Sequence, residues 1–181
     1  KQQAEAFGKL FMLYNGRITP VSTFAHDFTL QLTGKTSFSY LNSEQFLMSF
    51  LFMPKTWQKV AIFEIENPTL LDELGSQTGE KAALNDFFDQ ANHYKLSKYW
   101  DKLIGGEKSP LIKEVEKINE KIQLINMLHS GNLLQLYPIK VDNHLLWIYP
   151  TQDFPKEISS VDSAFIKASL ISYHTALVNN N

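Results

Sequence analysis

The segment PLIKEVEKINEKIQLINMLHS, Pro110–Ser130, gives the strongest secondary-structure signal in this chain. Ser109 precedes it as a candidate N-cap and Gly131 follows it as a candidate stop, so a helix about 31 Å long is predicted. Apolar side chains recur along one face of that helix, at Leu111, Val115, Ile118, Ile122 and Ile125. Such a stripe packs against a core. The segment therefore predicts a central helix in a domain dominated by helices.

The opposite face of this helix is charged. Lysines and glutamates lie three residues apart in several pairs, such as Lys113 with Glu116 and Lys117 with Glu120. Side chains at that spacing meet on a helix surface. We interpret the run as a solvated face, which is much more common than a binding surface. Its members are Lys113, Glu114, Glu116, Lys117, Glu120 and Lys121.

Capping residues elsewhere predict further helices, because a polar N-cap and a following Pro or Glu/Gln mark where a helix begins. The candidate caps are Ser22 or Thr23, Asn42 with Gln45, Asn67 and Asp162. The helices are expected at about 24–32, from Asn42 to about Met53, from Asn67 to Gly75, near 85–90, near 96–104 and from about Ser163 to Val178.

Two stretches predict β-structure. Phe11–Tyr14 is a short apolar run followed by an Asn-Gly turn. The stretch LLQLYPIKVDNHLLWIYP holds two β-rich runs around Asp142 and Asn143, which predicts a hairpin. The predicted fold class is therefore mainly α: a helical domain with a small β-hairpin as a minor α+β component, in a single domain over residues 1–181.

The composition of the chain excludes several classes of partner and of chemistry. The chain has 181 residues, a net charge of -2 and no basic block, so nucleic acid is not expected as a partner. It contains no cysteine, which excludes disulfides, thiolate metal sites and a cysteine nucleophile. Its longest strongly apolar run, Phe46–Met53, is far shorter than the roughly 20 residues of a spanning helix. Neither end resembles a natural terminus, and we expect an excised soluble piece of a larger protein.

Motifs for catalysis and cofactor binding are missing from the sequence. The five histidines show no short metal-ligand spacing, and no phosphate-loop, dinucleotide or nucleophile-elbow motif occurs. No catalytic, cofactor-binding or metal-binding residue is therefore predicted. Aromatic residues are dense between Phe38 and Trp57, and we interpret them as core in preference to a contact with another domain.

The stretch GRITPVSTFAHDF, Gly16–Phe28, holds the remaining candidates for a binding site. On a helical wheel His26 and Leu30 fall outside the arc of about 100° that contains the predicted core side chains. Arg17 follows a turn glycine, where a long cation can reach outward. We predict that Arg17, His26 and Leu30 form a partner-binding patch; the alternative, that they are ordinary surface residues, is equally compatible with the sequence.

Several segments in order resemble one family. They are GRITPVSTFAHDFTLQLTGKTSF, LNSEQFLMSFLFMPKTWQK, LNDFFD, SGNLLQLYPI and WIYP. Together they resemble the extracytoplasmic soluble region of fused ResB/CcsA-type proteins, the membrane-bound system II machinery for cytochrome c biogenesis. The resemblance covers roughly residues 7–178.

This resemblance implies a parent protein that exports haem and attaches it to apocytochrome c, as a cytochrome c synthase does. The tryptophan-rich WWD segment and the membrane-embedded histidines of the family are not in this chain. The resemblance therefore implies an accessory domain on the periplasmic side, tethered to the membrane, with no cofactor of its own and with haem handled by the parent. Its implied partners are apocytochrome c and the membrane-embedded part of the parent.

Two other functional classes stay open at this stage. One is a stand-alone ligand- or peptide-binding ectodomain without catalytic activity, which would present an exposed groove. The other is a hydrolase with an unrecognised site, which would gather polar side chains in a deep pocket. The sequence leaves open whether the chain is itself an enzyme.

Overall fold

The predicted central helix is present in the computed structural model, which describes residues 1–76 and 79–179. Helix α7 spans Pro110–His129, and the chain leaves it through Gly131, whose φ of 79° suits glycine. Of the predicted core stripe, Val115, Ile118, Ile122 and Ile125 are buried, while Leu111 is half-buried. The apolar periodicity therefore predicted the buried face correctly.

Eight α-helices, two short 3₁₀ helices and eight strands make up the described chain. The α-helices are α1 Gln2–Gly8, α2 Val21–Thr33, α3 Ser43–Phe52, α4 Pro54–Trp57, α5 Pro68–Leu74, α6 Trp100–Ile104, α7 Pro110–His129 and α8 Ser160–Asn179. The 3₁₀ helices are Leu84–Phe87 and Lys95–Tyr99. The strands are β1 Phe11–Tyr14, β2 Arg17–Pro20, β3 Ser37–Phe38, β4 Leu41–Asn42, β5 Ala61–Glu64, β6 Lys81–Ala83, β7 Tyr137–Val141 and β8 His144–Ile148.

The prediction of a mainly α fold with one small hairpin is wrong. Helices hold 54% and strands 18% of the structure, and the strands pair into four antiparallel two-stranded sheets, so the fold is mixed α and β. The sheets are β1–β2, β3–β4, β5–β6 and β7–β8. The sequence predicts only β1, from its apolar run, and the β7–β8 hairpin. The other strands have two to four residues and are too short to show alternation of apolar and polar residues.

The helix caps predicted at Asn67 and Asn42 are confirmed. Asn67 accepts hydrogen bonds from the backbone N–H groups of Thr69 and Leu70 and opens α5, which ends at Gly75 in the left-handed conformation. The box predicted at Asn42 is closed in both directions, since Gln45 N–H donates to Asn42 and Asn42 N–H donates to Gln45.

Helix α8 begins three residues earlier than predicted. The N-cap is Ser159, whose hydroxyl accepts from the N–H of Asp162 at 3.0 Å and donates to the Asp162 carboxylate at 2.7 Å. Asp162 therefore lies in the first turn, where a negative charge complements the helix dipole.

The contacts of the chain divide it into two compact units. Unit 1 contains Lys1–Leu30, Lys35–Phe52 and the described residues from Asn126 onward. Unit 2 contains Gln31–Gly34 and the described residues of Met53–Ile125. No helix of the described residues has the length and apolar character that crossing a bilayer requires.

Aromatic rings dominate the core of unit 1. Phe28 on α2 lies 6.0 Å from both Phe24 and Phe46 and 5.6 Å from Phe50, measured between ring centroids. All four rings are buried. The interpretation of the aromatic stretch as core holds for Phe46, Phe50 and Trp57, whereas Tyr40 is exposed.

His129, at the end of α7, packs on this core. Its ring stacks on Phe50 at 5.8 Å, and its Nε2 lies 3.3 Å from the Phe50 carbonyl oxygen, to which it can donate. Desolvation lowers the pKa of His129 below its ordinary value, and this effect outweighs the hydrogen bond to Phe50, which raises the pKa.

Stability is therefore expected to fall on acidification. Because the folded pKa of His129 is lowered, the unfolded chain binds the proton more tightly, and the stability contribution is complete above about pH 6.5 and lost as the pH falls toward the folded pKa. Urea midpoints at pH 7.5 and pH 5.5 measure the loss. The His129→Gln variant should show a smaller difference between the two pH values, and an unchanged difference would contradict this assignment.

Candidate interaction surface

The three residues predicted as a binding patch are all exposed. Arg17 begins β2, directly after the turn in which Asn15 and Gly16 have φ of 51° and 73°. His26 and Leu30 lie one turn apart on α2 and face away from its core side. The burial of α2 therefore follows the helical wheel, with its core side formed by Phe24, Ala25, Phe28 and Leu32.

The structure records no hydrogen bond or ion pair between Arg17 and His26 within residues 1–76 and 79–179. The His26 Nδ1 atom lies 3.4 Å from the carboxylate of its neighbour Asp27. Close by in sequence, the hydroxyl of Thr19 is buried and finds no hydrogen-bond partner among the described residues. The role of Arg17, His26 and Leu30 in binding stays a prediction.

An apolar groove of about 340 Å³ lies within unit 1. We call it the apolar groove; its lining comes from α1, β1, β7, β8 and α8 with the segments next to them. The lining residues are Phe7, Leu10, Phe11, Leu136, Tyr137, Pro138, Trp147, Phe165, Ser169, Leu170 and Tyr173. Pockets of about this size and apolar character are typical ligand sites.

Pairing and packing place these elements around the groove. The β7–β8 register sets Pro138 opposite Trp147, so both reach the same site. The Leu13 N–H of β1 donates to the Gln135 carbonyl at 3.0 Å and holds the chain before β7 against β1. Across the groove, the ring of Phe7 lies 5.6 Å from that of Tyr173.

The hydroxyl groups of the groove are already hydrogen-bonded. The hydroxyls of Tyr137 and Ser169 bond to each other, and Tyr173 donates to the Gln3 carbonyl at 3.2 Å. Burial raises the pKa of Tyr173, so its hydroxyl stays protonated at neutral pH. Because its hydroxyl groups have partners and its other lining side chains are largely apolar, the groove suits uncharged, apolar groups.

Apolar side chains also extend from the groove into solvent. Leu10, Phe11 and Phe165 line the groove and are nevertheless exposed, Phe165 by 66% of its surface. Exposed apolar residues that continue a concave apolar site are typical of protein interaction surfaces.

The sequence held one signal for this site, the low charge of helix α8. Its segment SVDSAFIKASLISYHTALVN carries only Asp162 and Lys167 as charged residues.

The remaining histidines have separate surroundings. His93 lies 3.2 Å from the Asp89 carboxylate, and hydrogen bonds from His93, the backbone bond above all, lower the pKa of Asp89. His174 stacks on Phe52 at 5.3 Å. In the part of the chain that the structure describes, no three or more His, Asp or Glu side chains gather into a possible metal site.

Comparison with known proteins adds one relationship. No family model matches this chain. The chain is similar to Protein NrfI of Wolinella succinogenes. The two sequences are 27% identical over 152 residues, which make up 82% of this chain and 17% of NrfI.

The match to NrfI agrees with the sequence resemblance at a coarse level. It supports a link to cytochrome c biogenesis. It does not distinguish fused ResB/CcsA-type proteins from other proteins of that process, so the narrower assignment stays a prediction. The chain spans about a sixth of the length of NrfI.

Proposed function

We propose that the chain is an extracytoplasmic accessory domain of a cytochrome c biogenesis protein, tethered to the membrane by the remainder of a longer polypeptide. The observation that carries the proposal is the similarity to NrfI over 152 residues. NrfI is a system II cytochrome c biogenesis-related protein. In this proposal the rest of the polypeptide handles haem, and the present chain binds protein partners.

The apolar groove is the proposed binding site for apocytochrome c. Its volume of about 340 Å³ holds a few apolar side chains and is too small for a folded element. An apocytochrome without haem is an incompletely folded polypeptide, and such chains expose apolar side chains that a folded protein would bury. A shallow apolar groove with aromatic walls suits that kind of partner.

The second proposed contact is the patch of Arg17, His26 and Leu30, which would face the membrane-embedded part of the same polypeptide. Its cation, imidazole and exposed apolar side chain are a mixture common at the rim of protein interfaces. A small patch is enough here, because a tethered partner is present at high effective concentration.

The proposal is tested in the full-length polypeptide by the yield of holo-cytochrome c per folded molecule. We expect Phe165→Asp to weaken apocytochrome binding by about tenfold or more and to lower the yield, because a charge would enter an apolar contact. The matched control is Ile171→Asp, on the same helix and 70% exposed but outside the groove, which should keep full yield. Arg17→Ala with His26→Ala should lower the yield about twofold or more without weakening apocytochrome binding.

Equal losses for Phe165→Asp and Ile171→Asp would contradict a specific role of the groove. A full yield for both the groove and the patch variants would overturn the proposed function. Melting temperatures of the isolated chain serve as the folding control, since all four substituted side chains are exposed and should change stability by less than about 0.5 kcal/mol.

A further inference from the structure

A second concave site of about 550 Å³ lies within unit 2, remote in sequence from the groove of unit 1. We call it the lysine cavity. One wall is the first three turns of α7, and the other is the segment from Phe63 to Pro68. Its charged lining residues are Lys113, Lys117, Lys121, Glu64, Glu66 and Glu114.

The three lysines form a row along one face of α7. They are four residues apart, so successive Cα atoms lie about 6 Å apart along the helix axis. Within residues 1–76 and 79–179, none of the three has an ion pair with a carboxylate within 4.0 Å. Like charges at this spacing destabilise a helix, so a bound anion would relieve a repulsion that the folded chain otherwise keeps.

Two of the three carboxylates in the cavity have partners other than the lysine row. Glu114 accepts hydrogen bonds from the backbone N–H groups of Glu66, at 2.6 Å, and Asn67, at 3.0 Å. Glu64 pairs with Lys81 at 3.6 Å. Glu66 is the remaining carboxylate and is exposed at the rim. The formal charges of the lining balance, but among the described residues no carboxylate oxygen lies within 4.0 Å of an ammonium group of the lysine row.

Lys121 occupies the most enclosed position of the row. Its side chain is partly buried and lines a second concavity with Gln31, Lys117, Glu120 and Leu124. Burial lowers the pKa of Lys121, as does the charge of Lys117, while Glu64 opposes both. A partly dehydrated ammonium beside a like charge gains more from a counter-ion than a fully hydrated lysine does.

We propose that the lysine cavity binds a small oxyanion carrying two or more negative charges, held by Lys117 and Lys121 with Lys113 at the outer end. The lysine ammonium is a compact point charge that binds phosphate and carboxylate oxygens without a fixed fork geometry. The lysine row therefore distinguishes anions mainly by the number of their charges and the distance between those charges, and less by whether they are phosphates or carboxylates. A monovalent anion can neutralise only one of these ammonium groups.

The test is calorimetric titration of the full chain at low ionic strength with pyrophosphate, citrate and acetate. We expect saturable one-to-one binding of pyrophosphate or citrate, at least about tenfold tighter than acetate, because several lysines act together. The stronger of the two multivalent probes identifies the site as phosphate- or carboxylate-binding. Lys117→Gln and Lys121→Gln should each weaken binding about tenfold or more, the change that one lost charge-assisted contact produces.

Lys55→Gln is the matched control, since Lys55 is an exposed lysine of α4 outside the cavity. Non-saturating binding, equal affinities for acetate and pyrophosphate, or an equal loss on Lys55→Gln would overturn the proposal. Lys117 is exposed, so Lys117→Gln tests the site even if Lys121→Gln fails to fold. Holo-cytochrome yield, in contrast, tests the groove of unit 1, so the two proposals fail independently.

Discussion

Replacing Val115 by aspartate is expected to destabilise the chain by about 3–5 kcal/mol, enough to unfold much of it at 37 °C. Val115 lies in the first half of α7 and is fully buried among the apolar residues of unit 2. Because Val115 is fully buried, the new carboxylate would replace an apolar side chain in the core, where a charge is costly. Urea unfolding followed by circular dichroism measures the loss.

The pH dependence of this variant gives a second criterion. A buried carboxylate without a partner has a raised folded pKa, so it becomes neutral as the pH falls and the variant regains part of its stability. The deficit should therefore be smaller at pH 5 than at pH 8. Glu116→Ala, at the exposed neighbouring position, should change stability by no more than about 0.5 kcal/mol. A Val115→Asp variant as stable as Glu116→Ala would show that this face of α7 is not core.

Replacing Phe28 by alanine is expected to lower the free energy of unfolding by about 3–5 kcal/mol. The ring is fully buried and lies within 6.0 Å of three other phenylalanine rings, measured between centroids. Its removal leaves a cavity and takes away favourable aromatic contacts, and rings fixed on two helices can collapse into the space only partly.

Two variants on α2 separate packing from helix propensity. Phe28→Leu keeps most of the apolar volume and should lose less than half as much stability as Phe28→Ala. Leu30→Ala, two residues along the same helix and exposed, should change stability by about 0.5 kcal/mol or less. Similar losses for Phe28→Ala and Leu30→Ala would place the core of unit 1 elsewhere.

Several structural signals that lie within one turn or one helix were predicted from the sequence, although the caps predicted at Ser22 or Thr23 and at Asp162 are wrong, because α2 begins at Val21 and α8 at Ser160. The Asn42 box, the Asn67 cap and the Gly75 and Gly131 stops all depend on residues within about four positions of one another. The exposure of His26 and Leu30 follows from the same helical periodicity that buries Phe28. These features require no knowledge of which element lies opposite.

Strand pairs were harder to predict because most of the strands are only two to four residues long and, in β5–β6, the partners lie apart in the sequence. The β5–β6 pair joins Ala61 to Ala83 with an irregular register at Phe63, across an intervening helix. The Arg17–Pro20 segment is not predicted as a strand, although it pairs directly with Phe11–Tyr14. In both cases pairing across the sheet outweighs weak local propensity.

The charged face of α7 shows why solvation could not be judged from the helix alone. The alternation of Lys and Glu predicted solvent-exposed pairs three residues apart, but Glu114 instead accepts hydrogen bonds from backbone N–H groups of Glu66 and Asn67. A helical wheel cannot show that a carboxylate accepts hydrogen bonds from a distant segment, because it describes one helix and the partner lies 48 residues away.

The sequence by itself determined the helices with strong caps, the buried face of α7, the β7–β8 hairpin and the resemblance that leads to cytochrome c biogenesis. Only the tertiary structure decided the mixed fold class, the apolar groove and the lysine cavity. The physical reason is the distance along the chain over which each interaction acts. Caps and helical periodicity involve neighbouring residues, whereas a concave site forms where separate segments meet. Phe7, Trp147 and Phe165 line one groove although they lie far apart in sequence, and no local pattern could have placed them together.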